Sequence, residues 1–132
     1  MTSLEWLAAV AVMTALFWVP YILERMVSLG IFGALKTVEP EEELKQALWA
    51  RRAKRAHYNA VENLVVFATL VLVAQAMGKA DSSQVLLATQ LYFWARLIHF
   101  PVLTLGLPGI RTVAYLASFA AQIMVALQIF SA

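Results

Sequence analysis

Arg52-Ala53-Lys54-Arg55-Ala56-His57-Tyr58-Asn59-Ala60-Val61-Glu62-Asn63 opens the second of four long apolar stretches in a chain of 132 residues. It puts polar groups where a membrane span carries lipid-facing carbon. A helix advances about 100° per residue, so Arg52, Arg55, Asn59, Glu62 and Asn63 fall within an arc of about 100°. Ionisable residues inside a membrane are costly and mark sites. The stripe therefore predicts a recess within a helix bundle for a small zwitterionic or anionic molecule.

The rest of the chain fits that setting. It is 62% hydrophobic and only 14% charged, well below the roughly 25% charged residues of a soluble domain. Four spans of about 20 residues consume most of it, leaving no room for a soluble domain. The net charge of +2 and the lack of aromatic residues interleaved with a basic patch give no footprint for a nucleic-acid partner. There are no cysteines, which excludes disulfides, a cysteine nucleophile and a thiolate metal site. His57 and His99, the two histidines, have no ligand partner at metal spacing, so no metal is expected.

The expected fold is all-α: one integral-membrane four-helix domain over residues 1–132, with helices at roughly 4–27, 53–77, 83–104 and 110–130. The first stretch lacks a basic start and a cleavage site, so it reads as a retained span rather than a signal peptide. A kink is expected near Pro20, and Gly30 and Gly33 break the pattern beyond it. Val38-Glu39-Pro40-Glu41-Glu42-Glu43 reads as a helix start, with proline in the first turn and carboxylates at the positive end of the helix dipole. That helix is expected to run on through Leu44, Leu48 and Trp49; whether it breaks before the basic run is open. Ser82 or Ser83 is the expected N-cap of the third span, and Gly106, Pro108 and Gly109 make a tight turn. Arg25, Lys36, Lys45, Arg51, Arg52, Lys54 and Arg55 lie in or beside the first loop, against Lys79 alone in the second. That bias sets the first loop in the cytoplasm and both termini away from it.

Two more polar faces accompany the first. Tyr92, Arg96 and His99 share a face of the third span, and Arg111, Tyr115, Ser118 and Gln122 share one on the fourth. All three gather near the cytoplasmic interface. Simpler roles compete with binding. Arg51 and Lys54 suit interfacial anchoring, as does Arg111. Glu62 suits an ion pair with Arg96, Arg55 or Arg111. His57 points away from the stripe and suits helix packing.

The run from Arg55 to Asn63 resembles the second-helix signature of the membrane-associated proteins in eicosanoid and glutathione metabolism, the MAPEG family. Arg96-Leu97-Ile98-His99 is similar to the family's Arg-x-x-His on helix three. Pro108-Gly109-Ile110-Arg111-Thr112-Val113-Ala114-Tyr115 is similar to the turn and opening of its helix four. The chain is most similar to small bacterial-type members, which would set it in a bacterial inner membrane. Tyr58 stands where several eukaryotic members have a basic residue, and Leu103 where a tyrosine often sits.

The resemblance implies a homotrimer that binds glutathione near the cytoplasmic side, with a lipophilic small molecule as second substrate and membrane lipids around it. By position, Arg52, Arg55, Asn59, Glu62, His99 and Tyr115 would contact glutathione, and Arg111 would be catalytic at its sulfur. Arginines offer forked donors to carboxylates, a carboxylate receives an ammonium, and a nearby guanidinium favours a thiolate. The implied activity is a glutathione-dependent transferase or peroxidase on lipophilic electrophiles or hydroperoxides. The alternative is a non-catalytic lipid-binding or scaffold protein of the same fold.

Overall fold

The structure, a computed structural model, describes residues 1–36 and 39–132. Among the described residues six helices follow one another: α1 (Ser3–Leu16), α2 (Trp18–Leu35), α3 (Pro40–Glu43), α4 (Leu48–Ala76), α5 (Ser83–Thr104) and α6 (Ile110–Phe130). By length and composition, four stretches among the described residues are able to cross a membrane: Ser3–Leu35, Leu48–Ala76, Ser83–Thr104 and Ile110–Phe130. No strand occurs among the described residues.

The first span is two helices in line. Thr2 and Glu5 open α1 with a reciprocal capping box, each side chain bonding the other's backbone N–H at 3.1 Å. The break falls at Phe17, three residues before Pro20. Pro20 has no N–H for the Leu16 carbonyl, so the ladder stops one turn upstream of the ring. Phe17 N–H turns back to Thr14 O at 3.2 Å, and its ring stacks on Phe100 of α5 at 4.1 Å. Helicity runs past the expected end at residue 27 to Leu35, interrupted at Gly30 with φ 76°.

The first loop corrects two boundaries. The acidic start forms only one turn, α3, with Pro40 at its head; Val38, where that start was expected to begin, lies outside the described residues. The chain then breaks over 44–47, and α4 begins at Leu48 rather than near residue 53. A residue distant in sequence sets that boundary. Glu24 of α2 accepts the Ala47 N–H at 3.0 Å and Gln46 Nε2 at 3.1 Å, supplying the cap that Ala47 cannot. At about 1.5 Å per residue, 29 residues of α4 reach about 43 Å, beyond the roughly 30 Å hydrocarbon layer. The helix is therefore longer than the layer is thick, and the charges of its basic first turns favour the interface.

α5 is central, packing on α6, α4 and α1. Its core face (Val85, Ala88, Tyr92) meets Leu7 and Val10 of α1, Phe67 and Val71 of α4, and Ala121 and Val125 of α6. Tyr92 stacks flat on Phe67 at 3.9 Å. Ala50, Ala53, Ala56 and Ala60 are buried along α4; such small residues let helices approach closely where no hydrophobic force drives them together. His57 beside them shares a 2.7 Å hydrogen bond with Tyr21 of α2. Ser82 caps α5. At the far end, Ser3 Oγ donates to Ala80 O, and Lys79 Nζ to Ile129 O and Ser131 O. Both termini and the α4–α5 turn thus share one end of the bundle.

Candidate functional site

The opposite end holds the polar groups. On α4, Asn63 Nδ2 donates to the Asn59 carbonyl at 2.8 Å. Asn59 Oδ1 receives Arg96 Nη2 of α5 at 2.6 Å, and Gln122 Nε2 of α6 reaches Asn63 O at 3.4 Å. One polar ladder on α4 therefore ties the other two helices. Arg96 is 1% exposed and His99 3%. Arg96 Nε and Nη1, Tyr92 Oη and His99 Nδ1 are buried without a partner among the described residues. A buried arginine bonded only to a neutral amide lacks a counter-charge, which is costly in a span.

Three adjoining recesses lie at this end, two of them bordering the ladder at Asn59. The widest, about 640 Å³, runs between α3 and α4 and is lined by Glu43, Arg51, Lys54, Arg55, Tyr58, Asn59 and Glu62, with Pro40 and Leu44. Its walls mix cations with carboxylates. Lys54 and Glu43 pair across it at 3.3 Å, the one salt bridge among the described residues. A second recess of about 250 Å³ lies between α4, α5 and α6, lined by Arg55, Asn59, His99, Arg111 and Tyr115 with Leu103 and Thr112. His99 and Tyr115 face each other there with ring centroids 6.5 Å apart. A third, about 260 Å³, sits at the α5–α6 turn and gathers Arg52, Arg55 and Arg111.

The stripe read from sequence is thus divided. Arg55 borders all three recesses. Asn59 lies with His99, Arg111 and Tyr115 in the second, Glu62 only in the first, and Arg52 only in the third, on the turn side of α4. Glu62 is exposed and has no ion pair among the described residues, so the expected pairing with Arg96, Arg55 or Arg111 does not occur within the chain.

Arg96, read from the sequence as part of a polar face, makes a tie to Asn59 that went unforeseen, because the partner lies on another helix and has no sequence spacing. Two wall residues also went unforeseen. Glu43 and Leu44 wall the wide groove, although their sequence reads only as a helix start. Among the described residues no cluster of histidine and carboxylate side chains could hold a metal ion.

The fold and the recesses define a multi-pass helical membrane protein with a polar cleft at one end of its bundle. The sequence model of the MAPEG family matches residues 4–131, essentially the whole chain, and the protein belongs to that family. A comparison with curated proteins finds no match. Membership supports, at a general level, a membrane function of the glutathione and eicosanoid metabolism type.

Proposed function

We propose that the protein is a glutathione-dependent transferase or peroxidase acting on lipophilic electrophiles or hydroperoxides from the bilayer. The observation that carries this is the convergence of Arg55, Asn59, His99, Arg111 and Tyr115, from three helices, around one recess. The donor set fits the tripeptide. Glutathione has two carboxylates and one ammonium; the adjoining groove offers Arg51, Lys54 and Arg55 to the former and Glu62 to the latter. Bound glutathione supplies the nucleophilic thiol.

The chain's own residues do the rest. Arg55, at the junction of the recesses, holds a carboxylate. Asn59, fixed by Arg96, and His99 orient the backbone of the tripeptide. Arg111 favours negative charge at sulfur, and Tyr115, one turn on, donates to the same atom. The second substrate arrives through the apolar side of the bundle.

Calorimetry with glutathione on detergent-purified protein tests this reading, together with turnover of 1-chloro-2,4-dinitrobenzene. Binding with turnover supports it. Binding without turnover of that electrophile or of a lipid hydroperoxide removes the enzyme and leaves a glutathione-binding protein. No binding at millimolar glutathione sinks the proposal and favours the lipid-binding scaffold.

A further inference from the structure

The third recess has a chemistry of its own. Arg52, Arg55 and Arg111 surround about 260 Å³, and no carboxylate is among its lining residues. None of the three guanidiniums makes a hydrogen bond or ion pair among the described residues. Three like charges around one small recess make a positive field that favours an anion among them. No residue lining the recess provides one.

The backbone is shaped to the cluster. Arg52 lies against Gly106 so closely that a Cβ there would stand 2.5 Å from its Cζ and Nη1. Gly106 also has φ 71°, a conformation side chains disfavour. Glycine thus permits both the turn and the flat seating of the guanidinium. The recess abuts the start of α6, where Gly109 offers no side-chain cap, and the positive end of that dipole adds to the field.

We infer that the Arg52–Arg55–Arg111 recess binds the phosphate group of a phosphomonoester, in the first place an anionic phospholipid headgroup. Three forked donors suit a tetrahedral dianion better than a single planar carboxylate. The recess stands at the interfacial level of α4, where lipid phosphates lie. Leu103 and Leu107 in its wall continue the apolar surface toward the acyl chains. Arg55 and Arg111 border the neighbouring recess as well and are shared with it, whereas Arg52 borders only this one and is the residue that separates the two sites.

The test is calorimetry on the detergent-purified protein with dioctanoyl phosphatidic acid, dioctanoyl phosphatidylcholine and inorganic phosphate. Phosphatidic acid is expected to bind and phosphatidylcholine not to. Removing one of three charge-assisted contacts in Arg52→Gln should weaken phosphatidic acid on the order of tenfold, with Arg52→Lys between. Gly106→Ala, which keeps every charge but displaces the Arg52 guanidinium, should weaken it too; circular dichroism of each variant reports its fold. Inorganic phosphate binding as tightly as phosphatidic acid would make a free phosphate the occupant, and phosphatidic acid alone would make it a lipid; both sustain the phosphate site. No binding of either probe by the wild-type protein, equal binding of phosphatidylcholine, or a folded Arg52→Gln that binds phosphatidic acid normally would overturn it.

Discussion

At the scale of single residues, Arg111 separates anchoring from chemistry. It lines two recesses and is exposed at the head of α6. An interfacial anchor needs only positive charge, so Arg111→Lys would act normally. A group holding negative charge at sulfur needs the fixed guanidinium fork. We expect Arg111→Lys and Arg111→Ala both to fold and to keep much of their glutathione affinity. Each should lose conjugation rate on the order of tenfold or more, about 1.4 kcal/mol of transition-state stabilisation. Near-normal rates in both variants would leave Arg111 an anchor. Asn59 makes the complementary case, because its amide is the one partner found for the buried Arg96 guanidinium. Asn59→Leu should cost on the order of 2–3 kcal/mol, since it strands a buried charge. Adding Arg96→Met should restore part of the loss by removing that charge. The thermal midpoints of both variants in detergent decide this, and equal losses in the single and double variants would argue against the tie. Here the sequence was partly legible: helical spacing brought out Arg55, Asn59, His99, Arg111 and Tyr115, while the Arg96–Asn59 bond, made between helices, left no trace in spacing.

At the scale of elements, apolar runs gave the four spans, but their ends were decided elsewhere. The start of α4 depends on Glu24, 23 residues before the Ala47 N–H it receives. No pattern local to residues 44–53 reveals such a cap. The break at Phe17 was more readable, because proline disrupts the turn that precedes it. The Glu24 clamp also holds the far end of the segment carrying α3, and α3 walls the wide groove. Glu24→Ala should therefore release Gln46 and Ala47 without unfolding the spans, at a cost of about 1 kcal/mol for partly exposed bonds. Hydrogen exchange at the Ala47 amide should accelerate while amides in the middle of α5 stay protected. Unchanged exchange at Ala47 would show that the clamp does not hold the loop.

At the scale of the whole molecule, charge and burial set two further expectations. Seven Lys and Arg side chains lie in or beside the first loop (Arg25, Lys36, Lys45, Arg51, Arg52, Lys54, Arg55) against Lys79 in the second. Lys79 is itself tied to carbonyls at the end of α6, which leaves the positive bias wholly at the first-loop end. Ser3 is a poor reporter, being buried and bonded to Ala80; Lys45, Asp81 and Ala132 are exposed. An impermeant thiol reagent should reach Asp81→Cys and Ala132→Cys from outside intact cells, and Lys45→Cys only after lysis. The reverse pattern would invert the topology. The second expectation concerns Glu62, exposed on α4 beyond the basic turns and without an ion pair among the described residues. A carboxylate facing lipid in a span is costly, so we expect a second copy of the chain to cover that face. We expect a homotrimer with the wide groove at the subunit boundary, visible as a trimeric mass in mild detergent at micromolar protein. If Glu62 serves glutathione, Glu62→Gln stays trimeric and binds the tripeptide more weakly. If Glu62 serves the interface, assembly fails before binding can be measured. A monomeric wild-type mass would remove the boundary altogether and leave Glu62 to be explained within one chain.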